Sequence, residues 1–125
     1  MKKRIVIAIA KDFSDVPGGR YKKDGKWSGE EFRQQFLEPA IQDEEVEKVV
    51  VDLDGTFGYS VSFLEEAFGG LALIYGEKKV LDRVELISTE QPSLIERIKE
   101  LYQRKNERQR YTEMFFDYFF NRLCK

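Results

Sequence analysis

Histidine is absent from this sequence, and cysteine occurs once, at Cys124. The first absence removes the Ser-His-Asp and Cys-His nucleophilic mechanisms and the commonest metal ligand. The second removes any disulfide within one chain. No run approaches the ~18 apolar residues from which a membrane-crossing helix is built. Charge imbalance is also lacking: 21 basic residues meet 23 acidic ones, for a net charge of −2. Nucleic-acid binders usually show a basic excess or stripe, so that class is not indicated. The one basic cluster, Arg104, Lys105, Arg108 and Arg110, has Glu107 inside it and reads as a solvated helix face. Neither a G-x-G-x-x-G nor a Walker pattern occurs, so no nucleotide cofactor is expected, and no catalytic residue or metal ligand set stands out.

What is present fits one folded domain. The chain has 125 residues, 42% hydrophobic and 35% charged, which is the balance of a globular protein rather than a disordered one. Its start, MKKRIVIAIAKD, faintly imitates a signal peptide. The apolar run Ile5 to Ala10 is short, however, and Lys11 and Asp12 follow it. A buried first strand is the better reading, and the protein is expected to be cytoplasmic.

Arg4 to Ala10 and Val46 to Asp52 are near-continuous apolar, β-branched runs, the pattern of strands covered on both faces. A third strand is expected within Val80 to Ser88, chiefly Arg83 to Ser88. Between the first two strands, residues 11–27 form a long loop with Pro17, Gly18, Gly19 and Gly25, in which a short extra strand around Gly19 to Lys23 would fit. Ser28 and Glu31 have capping-box spacing and open a helix that Pro39 is expected to end or kink near Glu38. Ser62 and Glu65 have the same spacing and open a second helix. There, Gly69 and Gly70 predict either a close approach or an early stop. Pro92 and Ser93 start a third, with Leu94, Ile95, Ile98, Leu101 and Tyr102 as one apolar stripe. The alternation of strand and helix predicts an α/β layered domain with parallel pairs.

The loudest motif is Asp52-Leu53-Asp54-Gly55-Thr56 at the end of an apolar strand. It resembles the first motif of the haloacid dehalogenase-like phosphatases, in which one aspartate attacks phosphorus beside Mg²⁺. Ser88-Thr89 would suit that family's next motif, but no later strand carries its acidic metal ligands. The plainer reading is a strand end followed by an Asp-Gly turn.

A second set of segments spans more of the chain: Ile7 to Ser14, Pro17-Gly18-Gly19-Arg20-Tyr21, Asp24-Gly25, Ser28 to Arg33, Val51 to Gly55, and Ser62 to Leu71. In that order they resemble the STAS-like domain family of unknown function. The resemblance implies a fold like that of the anti-sigma factor antagonists: a mixed or parallel sheet of about four strands with helices mainly on one face. In those relatives a serine at the start of the helix after a Val-Asp-Leu strand is phosphorylated by a partner with a histidine-kinase-like ATP site. Here Ser60 and Ser62 lie near that position.

The expectations are therefore as follows. Residues 1–105 form the α/β domain, and 106–125 form an aromatic helical extension that packs on the core or pairs two copies through residues 111–123. The chain is expected to be a non-enzymatic regulatory module that binds a protein partner, with a histidine-kinase-like ATPase as one such partner and serine phosphorylation as one such switch. Its surface comprises Ser60, Ser62, Phe63, Arg20 and Tyr21. One alternative is a metal- or phosphate-dependent enzyme or ligand-binding domain using Asp12, Asp52 and Asp54, with Arg20 as an anion clamp near Ser28. Another is a structural homodimer.

Overall fold

The computed structural model of the protein describes residues 2–103. Its sheet contains three parallel strands, β1 (Lys3–Ala8), β2 (Val46–Asp52) and β3 (Val84–Ile87), in the order β1-β2-β3. Parallel neighbours require crossover connections, and helices fill both. The first crossover holds α1, residues 29–42, and the second holds α2, residues 61–75, and α3, Glu77–Arg83. Helix α4, Ser93–Gln103, follows β3. Its expected stripe is present: Leu94, Ile98, Leu101 and Tyr102 are buried.

About four strands were expected, and three are found among the described residues. The segment around Gly19 to Lys23 is no strand. Lys22–Asp24 is a single 3₁₀ turn, and the Gly18 N–H donates to the Trp27 carbonyl, closing the loop on itself. The third strand is shorter than expected because residues 77–83 coil into α3, and the buried Val80 draws them against the core. Arg83 then anchors the entry to β3 by donating to the Val46 carbonyl at 2.8 Å. The expected aromatic extension at residues 106–125, with its packing on the core or its pairing of copies through residues 111–123, lies outside the described residues.

Pro39 does not end α1, which continues to Gln42. A wide turn at Arg33–Leu37, closed by Glu38 N–H to the Arg33 carbonyl, shifts the bonding register just before the proline. No hydrogen bond is then required of its nitrogen. Gly69 and Gly70 likewise do not stop α2. A Cβ at Gly70 would lie 2.5 Å from Arg33 Nη1, so the glycine admits a guanidinium between the helices. Close approach, not termination, is its role.

The strands are covered on one face. Ile7, Val49, Val51 and Val84 face the helices and are buried, whereas Arg4, Val6 and Glu85 on the other face are exposed. The expected burial on both faces fails because strands added in the order β1-β2-β3 by right-handed crossovers carry their helices on one face. Val50 alone is sealed on the open face, where the Arg4–Glu85 pair (2.9 Å) reaches from β1 to β3 across β2. Between α1 and α2 lies an aromatic cluster, with Phe32 against Phe63 at 6.0 Å and Phe68 at 6.3 Å.

Candidate functional site

The carboxyl ends of the strands are where open parallel sheets usually present their sites. From β2 the chain leaves through residues 53–59 and enters α2. Tyr59 folds back, and its hydroxyl donates to the Leu53 carbonyl at 2.7 Å. Burial, helped by Asp52, Asp54 and Glu90 nearby, pushes this phenol up to about 12. Ser60 then caps α2. Its Oγ accepts from Phe63 N–H at 3.0 Å and donates to the Gly18 carbonyl at 2.9 Å.

That double contact joins two segments the sequence kept separate. Ser60 ties the start of α2 to the long first loop, and Phe57 N–H to the Asp15 carbonyl (2.9 Å) ties them a second time. The expected cap was Ser62. The structure moves it two residues earlier: Ser60 is extended, at φ −71° and ψ 152°, while Ser62 is already helical. Asx- and Ser-type caps require an extended backbone, so the turn at Gly58 decides which serine serves.

The segments on either side of Ser60's two contacts expose apolar side chains. Phe57 is 86% exposed, Val61 59% and Val16 52%. Ser60 itself is exposed. These three apolar residues were not among the expected contacts. A signal for them existed: Phe57 lies between Gly55 and Gly58, and Val61 falls off the buried stripe of Phe63, Leu64, Ala67, Phe68 and Leu71. Phe63, expected on this surface, is fully buried and belongs to the core. A phenylalanine one turn into α2 points at the aromatic cluster, 6.0 Å from Phe32, and so cannot also face solvent.

Arg20 pairs with none of Asp12, Asp52 and Asp54. It reaches α2, meeting Glu65 at 2.6 Å and Glu66 at 3.8 Å. The start of α1 is filled as well. Gly29 N–H and Glu30 N–H donate to the Gly19 and Arg20 carbonyls, and Glu31 N–H to Ser28 Oγ. An anion clamp there would find the leading donors already engaged. Tyr21 is partly exposed, with the Lys23 ammonium 5.5 Å from its ring centre. Trp27 holds a left-handed backbone (φ 61°) and sets its ring edge-on to Phe13 at 5.4 Å. Few non-glycine residues adopt that conformation, and packing on Phe13 secures it.

The three aspartates do separate work. Asp12 accepts from Ala8 N–H at 2.8 Å, and Asp52 accepts from Asp54 N–H at 3.0 Å. Asp54 accepts from Thr89 N–H and Oγ1 and from Glu90 N–H, which holds its carboxyl below the usual carboxylate range. It latches the loop after β3 to the loop after β2. Among the described residues no three Asp, Glu, Cys or His side chains are grouped to hold a metal ion. A polar cavity of about 280 Å³ lies beside this latch, lined in part by Asp54, Tyr59, Ser88 and Glu90.

No helix among the described residues is long and apolar enough to cross a membrane. No curated protein and no solved structure matches the chain. The family described as a STAS-like domain of unknown function matches residues 28–94. That stretch takes in α1, the β2–α2 connection with Ser60, and the first two residues of α4. It is more than half of the sequence, and the chain therefore belongs to the STAS-like domain family of unknown function.

Proposed function

We propose that this domain is a non-catalytic regulatory module that binds a protein partner through the face where α2 begins. One observation carries the reading: an exposed serine caps α2 and bonds the first loop, and the segments it joins leave Phe57, Val61 and Val16 exposed. Protein interfaces have an apolar core and a polar rim, and exposed large apolar side chains supply such a core. The STAS-like resemblance adds a histidine-kinase-like ATPase as the class of partner, and a phosphate on serine as the switch.

Ser60 suits that switch better than Ser62. Its hydroxyl hydrogen bonds to the Gly18 carbonyl, and phosphorylation would remove that hydrogen. The added charge, about −1.5 to −2, would face a carbonyl oxygen and push the first loop away. The same phosphate would be favoured by the free end of α2. The phosphorylated and unmodified forms would thus present different surfaces to a partner.

The test uses the full chain as bait in host extract, followed by calorimetry with the captured protein after purification. Phe57→Ser and Val61→Asp should abolish binding while leaving the melting temperature unchanged. Ile74→Asp, at an apolar residue 54% exposed elsewhere on α2, should bind as wild type. Incubation with the partner and MgATP should add a phosphate-sized mass to the wild type and to Ser62→Ala, but not to Ser60→Ala. Normal binding by both patch variants would sink the assignment.

The enzymatic alternative is carried by less. The cavity beside Asp54 could admit a small ligand, yet the Asp54 carboxylate is committed to Thr89 and Glu90. In the phosphatase motif this second aspartate is the acid/base, and a carboxyl held below the usual range by such bonds is a poor proton donor.

A further inference from the structure

The outer edge of β1 has no neighbouring strand among the described residues. Along a strand, the backbone groups of alternate residues point to opposite edges. Lys3 N–H points toward β2, donating to the Glu45 carbonyl at 2.8 Å. Ala8 N–H points the other way, to Asp12. Arg4 and Val6 share the direction of Ala8, so their N–H and C=O groups line the free edge. Natural proteins protect such edges with proline, brevity, bulges, charge or a covering element. β1 is six residues long and contains no proline, and Val6 on its open face is 65% exposed.

We propose that this edge pairs antiparallel with β1 of a second copy, about a two-fold axis through Val6. The strand is self-complementary in that register. Val6 meets Val6 on the open face, Ile5 meets Ile7 on the helix side, and Arg4 meets Ala8. A shift of one residue would set helix-side residues against open-face ones. A shift of two toward the N-terminus would oppose Ile7 to Lys3 and Val6 to Arg4. A shift of two toward the C-terminus would carry Ile5 past Ala8, the end of the strand.

In the favoured register each Val6 N–H donates to the Val6 carbonyl of the other copy, while the flanking Arg4–Ala8 pairs stay unclosed because Asp12 occupies the Ala8 N–H that an Arg4 carbonyl would need. Ala8 N–H stays on Asp12, whose carboxylate then lies where Lys2, Lys3 and Arg4 of the second copy arrive. Opposite charges meet at both ends, and the two basic ends stay apart. The result is one continuous sheet with the helices of both copies on the same side. The pairing uses none of the residues of the partner-binding face.

The experiment is sedimentation of the full chain over a wide concentration range, for wild type, Val6→Lys and Val6→Pro. Wild type should self-associate, and exchange of the Val6 amide should slow as concentration rises. Val6→Lys, which opposes two ammonium groups on the axis, should weaken association by at least about tenfold. Val6→Pro removes the axial donors and should do the same. Should the proline variant misfold, the lysine variant, checked by circular dichroism, decides alone. A monomer at every concentration overturns the proposal, whether the edge amides exchange freely or are covered by another segment of the chain. Association that Val6→Lys leaves intact overturns it equally.

Discussion

Gly29→Ala should destabilise the protein, although alanine is the better helix former by about 1 kcal/mol. Gly29 opens α1 at the point where it crosses α2. A Cβ there would overlap the Phe63 carbonyl oxygen and lie 3.1 Å from the Ala67 nitrogen. Both are backbone atoms of α2, so no rotamer change relieves the clash. The helices must part by roughly 1 Å, and a gap of that size forfeits a quarter to a half of the dispersion attraction across it. Phe32, Phe63 and Phe68 are fully buried along this contact and would lose the most. Overpacking costs about 1–3 kcal/mol, and subtracting the helix-propensity gain of about 1 kcal/mol leaves a net loss centred on about 1 kcal/mol. Thermal denaturation should register this as a fall in Tm on the order of 5 °C. Gly19→Ala is the matched control, because a Cβ there meets nothing within 4 Å. It should change stability by less than ~1 kcal/mol, and upward if at all. A Gly29→Ala variant more stable than wild type by the full propensity gain would refute the close crossing.

Ser60→Ala should cost about 1 kcal/mol in urea unfolding through the lost cap, whereas Ser62→Ala should stay within ~0.5 kcal/mol. Arg33→Met should cost about 3 kcal/mol in the same assay. The buried guanidinium bonds Glu66 Oε2 and the Glu66 carbonyl at 2.6 Å and Glu38 at 3.1 Å. Burial alone would lower its pKa, yet the hydrogen bonds to Glu66 and Glu38 raise it, so the site holds a charge and not a neutral group. Asp54 predicts acid sensitivity: its folded-state pKa is depressed, chiefly by the Thr89 hydroxyl and then by Glu90 N–H. Its stabilisation is full above the unfolded value of about 3.9 and is lost as pH falls through the lower folded value. Asp54→Asn should flatten that acid limb in denaturation followed against pH. Tyr59 has the opposite sign. Its raised pKa favours folding fully below about 10 and loses that contribution as pH climbs toward about 12, which phenolate absorbance would follow.

Some of this was legible in the residues. The helix starts at Ser28 and Ser93 followed from local chemistry, because a cap and an apolar stripe are short-range properties. β1 and β2 were legible for the same reason, as β-branched apolar runs. The motif at Asp52 to Thr56 misled in its phosphatase guise, because the same residues serve a strand end and a loop latch.

The amino-acid sequence by itself determined the strand–helix alternation, the parallel pairing it requires, and the family. These depend on periodicity and on segment order. Only the tertiary structure decided which of two serines caps α2, and that Arg20 meets Glu65 rather than an aspartate. It alone showed that Phe63 is core while Phe57 and Val61 are surface, and that β1 is an edge strand among the described residues. Each of these depends on groups distant in the chain, such as Gly18 with Ser60 or Arg4 with Glu85, meeting at distances that no local pattern encodes.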